Sequence, residues 1–395
     1  MFSWLSTDGK IIFINRALRS FAFGFISIVI GIYLKEIGVN PLLIGLFLSA
    51  SLFGGTIFTL LVGQFARTYG IKKMFLVSLF ISLIGISVFI LTQNYVFLII
   101  ASLIAFMSPS GRELGPFLSL EQAYLPSAVS NKDRTKAFSY FNIVGDLSGS
   151  FGTLLGALPI FLQRNLAFGT IMSYKALFIV YLLLNLVAFF LYMRLSKVKF
   201  EQTKVTMSDE SKKKVTKLSL LFGIDSFAGG MILDSIIALW FHTKFNTPLS
   251  ILAPIFFVAG LLEVASFYVS GKLAQKIGLL RTMVFTHVPS SLFLIFIPFM
   301  PTFPLAAALY LLRQGLSEMD IPARQAYVVS VVNPEERTQA ASITNVAKIV
   351  SSSISPPIAT KILLSSFSPF ILAGILKIIY DLTLYYNFKH IEPLE

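Results

Sequence analysis

Apolar residues run along this chain in stretches long enough, at about 20 residues each, to cross a roughly 30 Å hydrocarbon core, and each stretch closes on a short polar or basic interval. The pattern predicts twelve membrane-spanning helices. The first six run over Ala17 to Leu34, Leu42 to Phe65, Met74 to Leu91, Val96 to Leu118, Phe138 to Leu162 and Ala176 to Met193. The second six run over Leu218 to Phe241, Ile251 to Leu273, Met283 to Met300, Leu305 to Ile321, Ala341 to Leu364 and Pro369 to Tyr386. Pro356 and Pro357 are expected to bend or break the eleventh of these. Between the sets lies the one long hydrophilic interval, residues 196–217, read as a linker joining a bundle of residues 1–195 to one of residues 218–395.

Basic residues gather in alternate loops. Lys10, Arg16 and Arg19 precede the first span, Arg67, Lys72 and Lys73 follow the second, Lys132, Arg134 and Lys136 follow the fourth, and Lys272, Lys276 and Arg281 follow the eighth. The intervening loops are nearly bare of charge, so the positive-inside rule places both termini in the cytoplasm of a multi-pass protein of the cell membrane. The opening "MFSWLSTDGKIIFINR" lacks a continuous apolar core and a small-residue cleavage site, and no cleavable signal is expected from it.

Composition agrees with the pattern: 55% of residues are hydrophobic and only 13% charged, against roughly 25% charged in a soluble domain. The +13 formal charge is dispersed between apolar stretches, which argues against a nucleic-acid face. With no Cys, disulfides, thiolate chemistry and Cys-based metal sites drop out. The three His lie in separate segments, and neither a nucleotide loop nor a nucleophile triad occurs. Neither an enzyme, a metal nor a cofactor is expected.

The two halves repeat each other. "RSFAFGF" from Arg19 echoes "DSFAGGM" from Asp225, "GQFARTYGIKK" from Gly63 echoes "GKLAQKIGLLR" from Gly271, and "EQAYLPSAVSNKDRT" from Glu121 echoes "RQAYVVSVVNPEERT" from Arg324, with 324 − 121 = 203. Repeats of equal topology are related by a twofold axis along the membrane normal. On these features the chain resembles the major facilitator superfamily. The loop signature is carried by Gly63, Gly70, Lys72 and Lys73, repeated as Gly271, Gly278 and Arg281, with Arg67 and Gln275 where the family has an acid. The resemblance implies an all-α integral membrane protein of twelve helices in two pseudo-symmetric six-helix bundles.

In that family helices four and ten approach each other when the inner side shuts. Glu121 and Arg324 are therefore read either as an ion pair closing a cytoplasmic gate, flanked by Arg134 and Arg337, or as tethers each for its own loop. Arg19 and Asp225 make a second opposite-sign pair at related positions. Deeper charges carry mechanism, because an ionisable side chain inside a bilayer marks a functional site by default. Asp146 and Glu263 are candidate proton carriers, and Lys348 sits at like depth. Arg112, Glu113, Arg313 and Asp225 are further candidates for substrate contact, coupling or helix register, since a guanidinium favours carboxylate or phosphate. Lys377 and Asp381, spaced i, i+4 on the last span, are read as neutralising each other. The resemblance implies a monomeric secondary transporter working by alternating access, driven by protons, that exports a small organic or amphipathic compound. Uptake of an organic anion is the alternative; a lipid flippase or a non-transporting sensor would use the same scaffold.

Overall fold

A computed structural model describes residues 4–112, 115–130, 133–196, 207–333, 336–365 and 368–390. The first half of the chain forms α1 (Thr7–Glu36), α2 (Pro41–Tyr69), α3 (Ile71–Leu91), α4 (Tyr95–Ala105), α5 (Pro116–Tyr124), α6 (Arg134–Leu155), α7 (Leu158–Leu166) and α8 (Thr170–Met193). The second half forms α9 (Asp209–Gly230), α10 (Asp234–Phe245), α11 (Leu249–Ile277), α12 (Leu279–Phe296), α13 (Phe303–Ser317), α14 (Asp320–Ser330), α15 (Arg337–Ile354), α16 (Pro356–Lys361) and α17 (Pro369–Phe388). Taken in order they make up the twelve spans, and no strand occurs among the described residues.

Five spans that the hydropathy pattern draws as single segments are built of two helices: α4–α5, α6–α7, α9–α10, α13–α14 and α15–α16. Proline is the recurrent cause. Pro116, Pro159, Pro322 and Pro356 each lie in the first turn of the second helix, where the missing N–H breaks no hydrogen bond, whereas one turn later it would. At Pro356, where the sequence leaves bending and breaking open, the helix breaks. Span four departs furthest from expectation, because Phe106 turns into the left-handed region at φ 51° and Gly111 at φ 70°.

Broken backbone at membrane depth needs internal partners. Here three neighbouring helices supply hydroxyls. Ser82 Oγ of α3 donates to the Ala105 carbonyl at 2.8 Å, Tyr181 of α8 to the Phe106 carbonyl at 3.3 Å, and Ser51 of α2 to the Met107 carbonyl at 2.6 Å.

Residues group into two compact units. One holds the first six spans together with Ile237–Phe257; the other holds the described residues from Met207 to Ile236 and from Val258 onward. Ile237–Phe257 joins the first unit through Lys35 Nζ donating to Thr243 Oγ1 at 3.1 Å, His242 at 3.6 Å from Glu36, and the Phe151–Phe257 ring contact. Within the first unit α1 lies so close to α6 that a Cβ added at Gly152 would stand 2.0 Å from the Phe21 carbonyl oxygen. The second unit repeats the arrangement with α9 on α15, where a Cβ at Gly230 would stand 2.2 Å from the Ser352 carbonyl oxygen.

The caps repeat as well. Ser6 caps α1 by accepting from Gly9 N–H, and Ser208 caps α9 by accepting from Ser211 N–H. Glu336, just before α15, reaches back to accept from Ser208 N–H and, at 3.1 Å, from Asn333 Nδ2. The Ser211 hydroxyl first, then the Ser208 N–H and hydroxyl, pull the Glu336 carboxyl down to about 2.

Candidate functional site

Each unit buries a charge pair drawn from the repeated phrases. In the first, Arg19 of α1 reaches Glu121 of α5, with Nη2 2.6 Å from Oε2 and the side chains 1% and 0% exposed. Tyr192 of α8 closes the pair, its hydroxyl accepting from Arg19 Nη1 and donating to Glu121 Oε1 at 2.6 Å. Phe75 stacks on the Tyr192 ring at 4.1 Å, and the Arg19 guanidinium lies over Phe117 at 4.8 Å.

In the second unit Asp225 of α9 meets Arg324 of α14, with Nη1 2.7 Å from Oδ2, and the Arg324 guanidinium lies over Phe222 at 5.4 Å. Glu121 and Arg324, read either as a gate pair or as tethers each within its own half, are each paired inside their own half here, as are Arg19 and Asp225. The acid in one copy of the phrase and the base in the other follow from this. The repeat preserves the pair but inverts its polarity: cation on span one and anion on span four, then anion on span seven and cation on span ten. A buried charge left alone is strongly destabilising, so both members must change sign together. The concerted change was visible in the sequence; what it lacked was the assignment of partners.

Around Asp225 the second unit gathers more ionisable groups than the first. Lys377 of α17 donates to Asp225 Oδ1 at 2.7 Å, and Asp320 lies 3.4 Å from Arg324 Nη2. His287 of α12 stands 2.9 Å from Asp381 of α17 and 3.8 Å from Asp225. Lys377 and Asp381 do not simply neutralise each other as their spacing predicts; each turns inward to a separate partner. His287 and Tyr192 went unassigned by sequence reasoning, although an ionisable His and two charges in spans nine and twelve were a usable signal.

The remaining candidates are spread over several helices. Asp146 (α6), Glu263 (α11) and Lys348 (α15) are half-buried, as is Arg112, which sits on the broken stretch of span four rather than on a helix. Ser108 Oγ donates to the Arg112 carbonyl, and Glu113 lies outside the described residues. Arg313 of α13 is buried, 6% exposed. A polar chain runs through it: Arg313 Nη1 donates to Gln314 Oε1, and Gln314 Nε2 donates to Glu263 Oε1. Arg134 and Arg337 open α6 and α15.

In the loop signature Gly70 and Gly278 form the turn, at φ 84° and 87°, each joining one helix directly to the next. Those angles favour glycine. A Cβ at Gly63 or Gly271 would meet nothing within 4 Å, so the turn does not rest on them. Lys72 Nζ donates to the Leu195 carbonyl at 2.6 Å, Lys73 lies over the Tyr69 ring at 5.1 Å, and Arg281 is exposed. Among the described residues no three His, Asp or Glu are grouped to hold a metal ion.

An uncharacterized membrane protein of Saccharomyces cerevisiae is 24% identical over 97% of this chain and 94% of its own length. Solved structures share the fold. A mutant of the nucleoside transporter NupG aligns with a TM-score of 0.76 at 15% identity, covering 96% of this chain and 98% of that one. A D-xylose-proton symporter gives 0.74 at 14% identity over 96% and 97%, and the human organic anion transporter MFSD10 gives 0.67 at 14% over 96% and 99%. The Major Facilitator Superfamily model matches residues 12–317 and 226–393. Duplicated helical halves, paired buried charges and a family match across nearly the whole length agree, and the chain belongs to the Major Facilitator Superfamily.

Proposed function

We propose that the protein is a proton-driven secondary transporter that exports a small organic or amphipathic compound by alternating access, acting as a monomer in the cell membrane with both termini cytoplasmic. Family membership and fold support transport of a solute across a membrane. The observation that carries the proton-coupled reading is the chain Arg313–Gln314–Glu263. A neutral amide stands between the guanidinium and the carboxylate, and an amide N–H can donate to a carboxyl group whether ionised or protonated. Glu263 is thereby held in place in both proton states. Asp146 and Lys348 are also half-buried within spans. A charge facing lipid costs about 2.5–3.5 kcal/mol at mid-bilayer, which favours a wet surrounding for them. A proton symporter among the structural neighbours supports such coupling on this fold.

Uptake of an organic anion is the second reading. It is favoured by Arg313, whose buried Nε lacks a hydrogen-bond partner, and by the likeness to an organic anion transporter. Both readings are tested in proteoliposomes under an imposed pH gradient with anionic, cationic and neutral solutes. Asp146→Asn and Glu263→Gln should each abolish gradient-driven accumulation and spare solute exchange. Wild-type accumulation in both variants would refute the coupling role of these carboxylates, and accumulation of anions alone would favour the second reading.

A further inference from the structure

The cluster around Asp225 does not balance its charge. Asp225 comes from α9, Asp320 and Arg324 from α14, Lys377 and Asp381 from α17, and His287 from α12, all of them buried. Three carboxylates therefore face two fixed cations, and the sum is one negative charge until His287 gains a proton. The Tyr380 hydroxyl is also buried, its ring 6.1 Å from that of His287, and so is the hydroxyl of Tyr327 on α14. On α13, which also packs on α12, Arg313 is bonded to Gln314, and Tyr310 bears on Asp234 and Glu263. An uncompensated charge away from water is normally removed by proton uptake. In the first unit one Arg meets one Glu, with a tyrosine hydroxyl between them.

The geometry shows where a proton would go. Both Asp381 oxygens lie within 3.0 Å of His287 Nδ1, and with Asp381 ionised that nitrogen carries the hydrogen between them. Nε2 then faces Lys377 Nζ at 3.3 Å and Asp225 Oδ1 at 3.8 Å. With a neutral ring, Nε2 accepts from the Lys377 ammonium. With a charged ring it has a hydrogen of its own and cannot, so Lys377 must turn wholly to Asp225.

We infer that His287 and Asp381 form a proton-binding site inside the C-terminal half, where one exchangeable proton taken at Nε2 completes the charge balance and leaves Lys377 bonded to Asp225 alone. Resting on the proton-driven reading above, this site is a stop on the path of the proton that the transport cycle carries. It lies on spans nine and twelve, apart from the Glu263 chain on spans eight and ten.

The test has two arms. In the first, the full-length protein is labelled at histidine carbons and titrated by NMR in lipid nanodiscs, the His287 signal being assigned by its absence in His287→Gln. The chain has only 3 His. His287 should change protonation state between about pH 4 and 9, with a midpoint that moves by about 1–3 pH units in Asp381→Asn and stays in place in Glu263→Gln. A wild-type ring locked in one state across that range overturns the proposal without reliance on any variant. In the second arm, a gradient of one pH unit should support about tenfold solute accumulation at one proton per solute, and Asp381→Asn should reduce this to no accumulation. A titrating His287 with unchanged accumulation in Asp381→Asn overturns the coupling role. A titrating His287 in a wild type blind to the gradient supports the proton site and overturns the proton-driven reading itself.

Discussion

The inverted pair can be turned round by hand. Arg19→Asp with Glu121→Arg copies into the first half the polarity that the second half already uses at Asp225 and Arg324. Each single substitution leaves an uncompensated charge at a site at most 1% exposed, and breaking a buried pair costs about 3–5 kcal/mol. The Coulomb term agrees, since unit charges 4 Å apart interact by about 4 kcal/mol at an effective dielectric of 20. At roughly 2–4 °C per kcal/mol for a unit of this size, each single variant should melt roughly 6–20 °C below wild type in detergent. Tyr192 serves either polarity, because a hydroxyl donates and accepts. The double variant should therefore recover more than half of the summed loss, read by thermal unfolding followed on the intrinsic fluorescence of Trp4 and Trp240. A double variant as unstable as the two singles added together would show that the pair is not a closed unit, and the account of the repeat would fall with it.

Other outcomes follow from the same geometry. Tyr192→Phe removes the bridging hydroxyl and should lower stability by about 1–3 kcal/mol, measured in the same melting assay, with the swapped double variant losing a similar amount. Gly152→Ala places a methyl group on the Phe21 carbonyl and should cost about 1–3 kcal/mol by forcing α1 and α6 apart. Gly63→Ala, in open space, should be neutral or slightly stabilising; equal losses in the two variants would contradict the packing described. Glu336 has a lowered carboxyl, so its contribution is complete above the ordinary value of 4.5 and is lost as pH falls toward about 2. Glu336→Gln should speed amide exchange at Ser208 near neutral pH, and unchanged exchange there would remove the tether.

Much of this protein is legible in its amino-acid sequence alone. Span count, the duplication, and the presence of Arg19, Glu121, Asp225 and Arg324 at repeated positions all follow from apolar stretches and residue spacing, because lipid punishes a misplaced charge locally, residue by residue. Interruptions inside spans are harder to read. Proline marks four of the five, but whether a helix bends or breaks depends on what satisfies the freed carbonyls, as Ser51, Ser82 and Tyr181 do for span four.

Partner choice belongs to the tertiary structure alone. A hydropathy profile records that Glu121 is acidic and Arg324 basic, and both assignments that it allows, across the halves or within each, balance charge equally well. The reach of Arg19 from α1 to Glu121 of α5, and of Arg324 from α14 to Asp225 of α9, decides between them, since an ion pair is set by ångström distances that sequence spacing does not encode. The same holds for Lys377 and Asp381, whose i, i+4 spacing offered each as the other's partner until His287 and Asp225 came within reach.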